Sequence, residues 1–303
     1  GIIGIGVWAD LDGNDRYTGN NLGMGAGLLG AGVLWDANGD DTYIGGAKVE
    51  GAGEYGLGIL LDERGKDSYQ AAIAGEGFGG PGGFGILADM RGDDSYSCGA
   101  VVPDQVPDRK ARHQEIHYLS MCQGFAFGIR PQVSGGVGLL LDLDGDDSYK
   151  GDIFAQGSAY WFGLGMLVDR RGNDHYDCFE HCQGEGIHLS AGILADWEGN
   201  DEYRGHEHVQ GVGIDRGVGI LYENSGNDAY KSDHDSQGAG LKPFGEGLLI
   251  DVAGNDRYEA AATAQGFTPK PDDQRQGFPV DQWPVGILLD LQGADVYDEH
   301  GVS

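Results

Sequence analysis

A period of about 27 residues runs the length of this chain. Gly4-Ile5-Gly6-Val7-Trp8-Ala9-Asp10-Leu11-Asp12-Gly13-Asn14-Asp15-Arg16-Tyr17 returns as Gly30 to Tyr43, Gly56 to Tyr69 and Gly83 to Tyr96. Further copies end at Tyr149, Tyr176, Tyr203, Tyr230, Tyr258 and Tyr297, ten in all. Their first acidic residues advance in steps of 26, 26, 27, 53, 27, 27, 27, 28 and 39, with one insertion near residue 110 and another near 275. Such a period belongs to stacked or radial repeat architectures, in which each unit buries its apolar face only against its neighbours.

Glycine selects among these. The chain has 58 of them, and a helical interior loses about 1 kcal/mol for each relative to alanine. Helical solenoids are therefore excluded. The apolar pieces, such as Gly58-Ile59-Leu60-Leu61, are short and end in Asp-Gly-Asn turn chemistry, which predicts short strands. A propeller blade needs about 40 residues with four alternating strands. The expected fold is all-β, a parallel β-solenoid of 10 to 11 coils with two or three strands per coil, roughly 50 Å long at about 4.8 Å per coil. It covers residues 1–303 as one domain, with loop insertions at 99–121 and 267–284.

Composition excludes other classes. With 19 Lys+Arg against 49 Asp+Glu the formal charge is -30, the wrong sign for a protein that neutralises phosphates. No nucleic-acid partner is expected. No apolar run approaches the roughly 20 residues of a membrane helix, so no membrane insertion is expected. The start at Gly1, without a charged and apolar leader, suggests a mature or excised segment.

Within a stack every recurring position becomes a ladder. The tyrosines are expected to stack in the core. Seven residues after each tyrosine stand Met24, Glu50, Glu76, Gln156, Gln183, Gln210, Gln237 and Gln265, with Gln123 after the insertion. This column is expected to hydrogen-bond coil to coil through its amides. Two aspartate columns pose an electrostatic problem, since charges about 4.8 Å apart repel by about 0.9 kcal/mol even in water. One solution is an Asx turn, with the first Asp accepting N–H groups two or three residues on. The other is Ca²⁺, which takes six to eight oxygens. The ligand candidates are Asp10, Asp12, Asp15, Asp36, Asp41, Asp89, Asp94, Asp142, Asp144, Asp147, Asp169, Asp174, Asp196, Asp201, Asp251 and Asp256.

Gly254-Asn255-Asp256-Arg257-Tyr258 and its relatives resemble the tail of the calcium-binding nonapeptide of RTX proteins, in which stacked aspartates hold Ca²⁺ between coils of a parallel β-roll. The match spans about five residues per coil. It lacks the leading Gly-Gly and carries an extra Asp before the Gly. The resemblance implies an extracellular calcium ladder and carries no toxin, protease or lipase activity.

Cys98 and Cys178 each follow a repeat tyrosine by two residues, and Cys122 and Cys182 each precede a repeat glutamine. Pairing Cys98 with Cys122 and Cys178 with Cys182 explains this arrangement; the alternative is four small buried apolar residues. Disulfides imply an oxidising, extracellular, cell-surface or periplasmic compartment. The 99–121 insertion carries Arg109, His113, His117 and Tyr118. Later coils carry Phe179-Glu180-His181, His206-Glu207-His208 and Asp233-His234-Asp235 at the corresponding segment. The expectation is one surface strip in which His181, His208 and His234 share a transition metal or act as acid and base, the insertion closing over them. An exposed polar edge is the bland alternative. Neither a zincin His-Glu-x-x-His nor a Gly-x-Ser-x-Gly elbow occurs.

The expected function is a secreted or cell-surface, calcium-stabilised solenoid with a structural or adhesive role, stacked end to end or as a homo-oligomer. The alternative is a carbohydrate-active enzyme, a lyase or hydrolase that holds a polysaccharide along the histidine and acidic strip.

Overall fold

The computed structural model describes residues 1–107, 115–269 and 282–299. Two ten-stranded parallel sheets run the length of the stack, one from strand Ile5–Ala9 to strand Val285–Asp290 and the other from Arg16–Asn21 to Val296–Glu299. A five-stranded third sheet, from Ala126–Phe127 to Gly240–Leu241, and a two-stranded one, Gly27–Leu28 with Gly53–Glu54, close the remaining side of the coil. This is the expected parallel β-solenoid. Its ten strands per long sheet make nine coil-to-coil steps, roughly 43 Å; no eleventh coil stands among the described residues.

Register follows the repeat. Tyr43 pairs with Tyr69, and Leu34 with Leu60. The inward Gly, Leu, Asp and Tyr columns thus mostly meet their own residue type, which is how one motif specifies one stack. In strand Ala31–Asp36 the residues Gly32, Leu34 and Asp36 point inward. Leucines at this position pack against the stacked tyrosines in one core running from Tyr17 to Tyr258. Adjacent rings lie 4.7 to 5.0 Å apart and nearly parallel, as Tyr176 and Tyr203 (4.7 Å) and Tyr203 and Tyr230 (5.0 Å) show.

Two glycine columns are dictated by space. A Cβ at Gly32 would stand 2.1 Å from the Ala26 carbonyl oxygen, because the turn after the glutamine column lies directly against the first sheet. Gln156 and Gly157 in that turn both have positive φ, 53° and 69°, which glycine alone adopts without cost.

The Gln column hydrogen-bonds coil to coil through its amides as expected, with backbone carbonyls as the acceptors. Gln156 Nε2 donates to the carbonyls of Tyr149 (3.0 Å) and Asp177 (3.1 Å), and Gln183 Nε2 to those of Tyr176 and Arg204. The left-handed turn aims each amide at the strand carbonyls of its own and the next coil, so the glutamines tie backbone to backbone and do not bond one another. Cys98–Cys122 and Cys178–Cys182 are both disulfides, as expected from their columns.

At the ends the apolar faces are open. Ile5 is 84% exposed at one end, and Leu289 and Tyr297 are 42% and 50% exposed at the other.

Candidate functional site

The two aspartate columns lie inside the solenoid. In the coil of Asp142 and Asp147, Tyr96 Oη donates to Asp142 Oδ2 (2.6 Å) and the Asp144 N–H to Asp142 Oδ1 (3.3 Å). The Asp94 N–H donates to Asp147 Oδ1 (2.6 Å). Asp147 Oδ2 is buried with no donor. The same pattern recurs: Tyr43, Tyr69, Tyr149 and Tyr176 bond Asp62, Asp89, Asp169 and Asp196. Asp41, Asp67, Asp94, Asp174, Asp201, Asp228 and Asp256 each keep an undonated Oδ2. The Asx-turn bond is present as expected, from the N–H groups of Asn38, Arg64, Arg91 and Arg171.

Burial raises both columns, and to different heights. Asp147 is pushed up to about 12 by desolvation and then by the charges of Asp142 and Asp169. Asp142 rises only to about 6, because desolvation there is opposed by donors from Tyr96, Asp144 and Asp147. Asp94 and Asp89 show the same order, about 10 against about 7. Two carboxyls side by side cannot both ionise out of water. A proton held within such a pair would supply the missing donor; Asp169 and Glu223 of the first column are themselves raised well above the usual carboxylate range by burial and neighbouring carboxylates.

Asp36, Asp41 and Asp62 each bring one carboxylate oxygen within 4.8 Å of the others; a calcium ion takes six to eight oxygens, so one here would also need the remaining carboxylate oxygens or backbone carbonyls. Most of the other oxygens already accept tyrosine or backbone hydrogens. Asp12 and Asp144 are exposed, and Asp10 and Asp15 only partly covered, so the columns are not uniform.

A groove of about 910 Å³ runs along the outer face of the second sheet, from Ile44 across seven coils to Lys231. Its floor is Gln70, Ser97, Lys150, Asp177 and Arg204, and its wall includes Glu115, His117, Tyr118, Phe179, His206 and Asp233. The described part of the 99–121 insertion forms the roof. The Cys98–Cys122 disulfide closes its base, Asp104 N–H bonds the His117 carbonyl, and Pro103 pairs with Tyr118. Asp152, from the next coil, fixes it: His117 Nδ1 lies 2.8 Å from Asp152 Oδ1, and the Tyr118 N–H donates to Asp152 Oδ2 (2.6 Å). His117 stacks on Phe179 (3.5 Å) and Phe179 on His206 (4.7 Å), with Asp233 bonded to His206.

No family model, curated protein or solved structure matches this chain. Geometry must therefore carry the assignment. The expected single strip of histidines resolves into separate groups, because residues three, four and five places after the repeat tyrosine point in different directions. His117 and Tyr118 lie in the groove with His206. His181 and His208 stack on each other 4.8 Å apart, on another flank of the corner, beside Glu180 and Glu185. His234 leans toward His206 (5.4 Å) and joins Glu207. The described part of the insertion seats on Phe179 through His117. Arg109 and His113 lie outside the described residues, as does most of the second insertion.

Sequence reasoning missed Asp152 and Glu185. Asp152 shares its column with Phe179, His206 and Asp233, and Glu185 is the lone charge in a column of Ala26, Ala52, Phe78, Ser158, Val212 and Ala239. Comparing those columns would have found both. It also missed an exposed Asn ladder, in which Asn200 Nδ2 donates to Asn173 Oδ1 and Asn227 Nδ2 to Asn200 Oδ1.

Proposed function

We propose that this protein is an extracellular or surface-exposed adhesive module that binds an extended acidic glycan along the groove of the second sheet. The groove itself carries this conclusion. It is linear, spans seven coils or roughly 29 Å, and sets Lys150, Arg204, Lys231 and the imidazoles of His117 and His206 beside Glu115, Asp152, Asp177 and Asp233 in a chain of net charge -30. Because His117, Phe179 and His206 stack along the solenoid axis, their edges border the channel. Edges suit hydroxyl and carboxylate groups better than sugar faces. Two disulfides support a non-cytoplasmic location. A further coil of the same repeat, from a second copy or the same chain, would cover the exposed apolar ends and extend the channel.

In this proposal the buried acid pairs are neutralised by protons, and calcium competes for them at best. Cleavage of the glycan is the second function, favoured by the His117–Asp152 contact, in which a carboxylate orients an imidazole as it does in acid–base catalysis. The test is an affinity measurement on a panel of acidic and neutral oligosaccharides, with product analysis. Binding without cleavage that is lost in Arg204→Ala and His117→Ala supports adhesion. Cleavage lost in His117→Ala supports the enzyme. No binding to any member overturns both.

A further inference from the structure

Away from the groove, two histidines and three glutamates converge where two adjacent coils meet. We infer that Glu180, His181 and His208 form a binding site for a divalent transition-metal ion of the zinc class, with Glu185 as the carboxylate that orients His181. None of the four lines the groove.

The distances fit. Glu180 Oε1 stands 3.4 Å from His181 Nε2 and 3.8 Å from His208 Nδ1. Ligands bonded to one tetrahedral ion at about 2.0–2.1 Å are separated by roughly 3.3 Å, so a small closure of the His208 ring completes three donors. Glu180, Glu185 and His181 come from the same coil and His208 from the next, so an ion would bridge coils.

Orientation is provided by the fold. His181 and His208 occupy a left-handed turn column, φ 61° and 55°, which turns both rings toward the glutamates. Phe154 stacks on His181 from the preceding coil (4.9 Å). Glu185, itself fully buried, lies 2.9 Å from His181 Nδ1. That contact puts the proton on Nδ1 and the lone pair on Nε2, the carboxylate–histidine–metal arrangement that outer carboxylates impose.

Charge favours the same conclusion. Glu180, Glu185 and Glu207 are buried around this spot. Neutralising them by protonating both imidazoles would set two cations 4.8 Å apart. A divalent ion leaves the rings neutral and able to ligate. Nitrogen donors select a borderline ion over calcium, which takes oxygen. Side-chain exposures of 12% for His181 and 16% for His208 leave a path for entry and room for a solvent ligand.

The experiment strips the whole protein with chelator and titrates it with Co²⁺ alone, reading the visible absorption band, then displaces the cobalt with Zn²⁺. One equivalent is expected, the band vanishing in His181→Ala and in His208→Asn. Glu185→Gln should weaken binding about 10- to 100-fold. His117→Ala, in the groove, should leave the titration unchanged, so failure of the glycan proposal and failure of this one are distinguishable. Circular dichroism checks that each variant is folded; if His181→Ala is not, His208→Asn carries the test. A wild type that binds neither ion, or a folded His208→Asn that binds as well as wild type, overturns the site.

Discussion

The hydroxyl of Tyr149 donates at 2.6 Å to Asp169 Oδ2, one coil further along the stack. The two side chains are fully buried, and the tyrosine ring lies between Tyr96 and Tyr176 at 4.8 Å on each side. A single residue pair therefore couples the apolar ladder, the acid ladder and the step between coils. At the last coils the partner changes: Tyr258 bonds Asp251 of its own coil, as Tyr297 bonds Asp290.

Replacing Tyr149 by Phe keeps the ring stack and removes the donor, leaving a buried carboxylate oxygen bare. The expected loss is about 1–3 kcal/mol. Chemical denaturation should show it as a lower midpoint at unchanged slope.

Stability should fall as pH rises. Burial lifts Asp62 to about 8, Asp201 to about 9 and Asp147 to about 12, so the folded state holds protons that the unfolded chain releases near its ordinary value. A raised pKa contributes fully below the unfolded value of about 4 and is lost as pH climbs through the folded one. Melting temperatures should decline between pH 5 and 9. In Asp147→Asn, whose amide is a permanent donor, the decline should be shallower; an identical slope would count against a shared proton there.

Glu50 and Glu76 stand in the glutamine column, both fully buried. Burial and the neighbouring Glu76 push Glu50 well up, and burial lifts Glu76 to about 8. Glu50→Gln and Glu76→Gln should raise the melting temperature at pH 8 and change little at pH 5. Thermal scans of the two variants at both pH values decide it.

The Cys98–Cys122 bond closes a loop of 24 residues under the groove roof. Its removal should cost about 3 kcal/mol through the unfolded state. Non-reducing peptide mapping should recover that pair and Cys178–Cys182, and a Cys98→Ala, Cys122→Ala variant should lose glycan affinity along with stability.

Much of this was legible in the chain, because repetition makes one sequence its own alignment. Tyr149 and Leu140 recur in step, and the period gave solenoid, register and core together. What recurrence does not give is direction. It marked Asp169 without showing that the carboxylate turns inward to the tyrosine of the preceding coil, and it marked Gln156 without showing that a left-handed turn aims the amide at carbonyls. The histidines show the same limit: one residue of offset separates His206 in the groove from the Glu207 and His208 groups. His117 sits in an insertion, where counting from the tyrosine fails, and only Asp152 in three dimensions gives its position.

Whether protons or calcium hold the acid ladder is decided by melting the chelator-stripped protein at pH 5.5 and at pH 8, each with and without added calcium. A folded protein at pH 5.5 with a high midpoint indifferent to calcium, and a lower midpoint at pH 8, is the expected outcome. A stripped protein that is unfolded at pH 5.5 and folds only when calcium is added would contradict the proton-sharing pairs and give the columns to calcium.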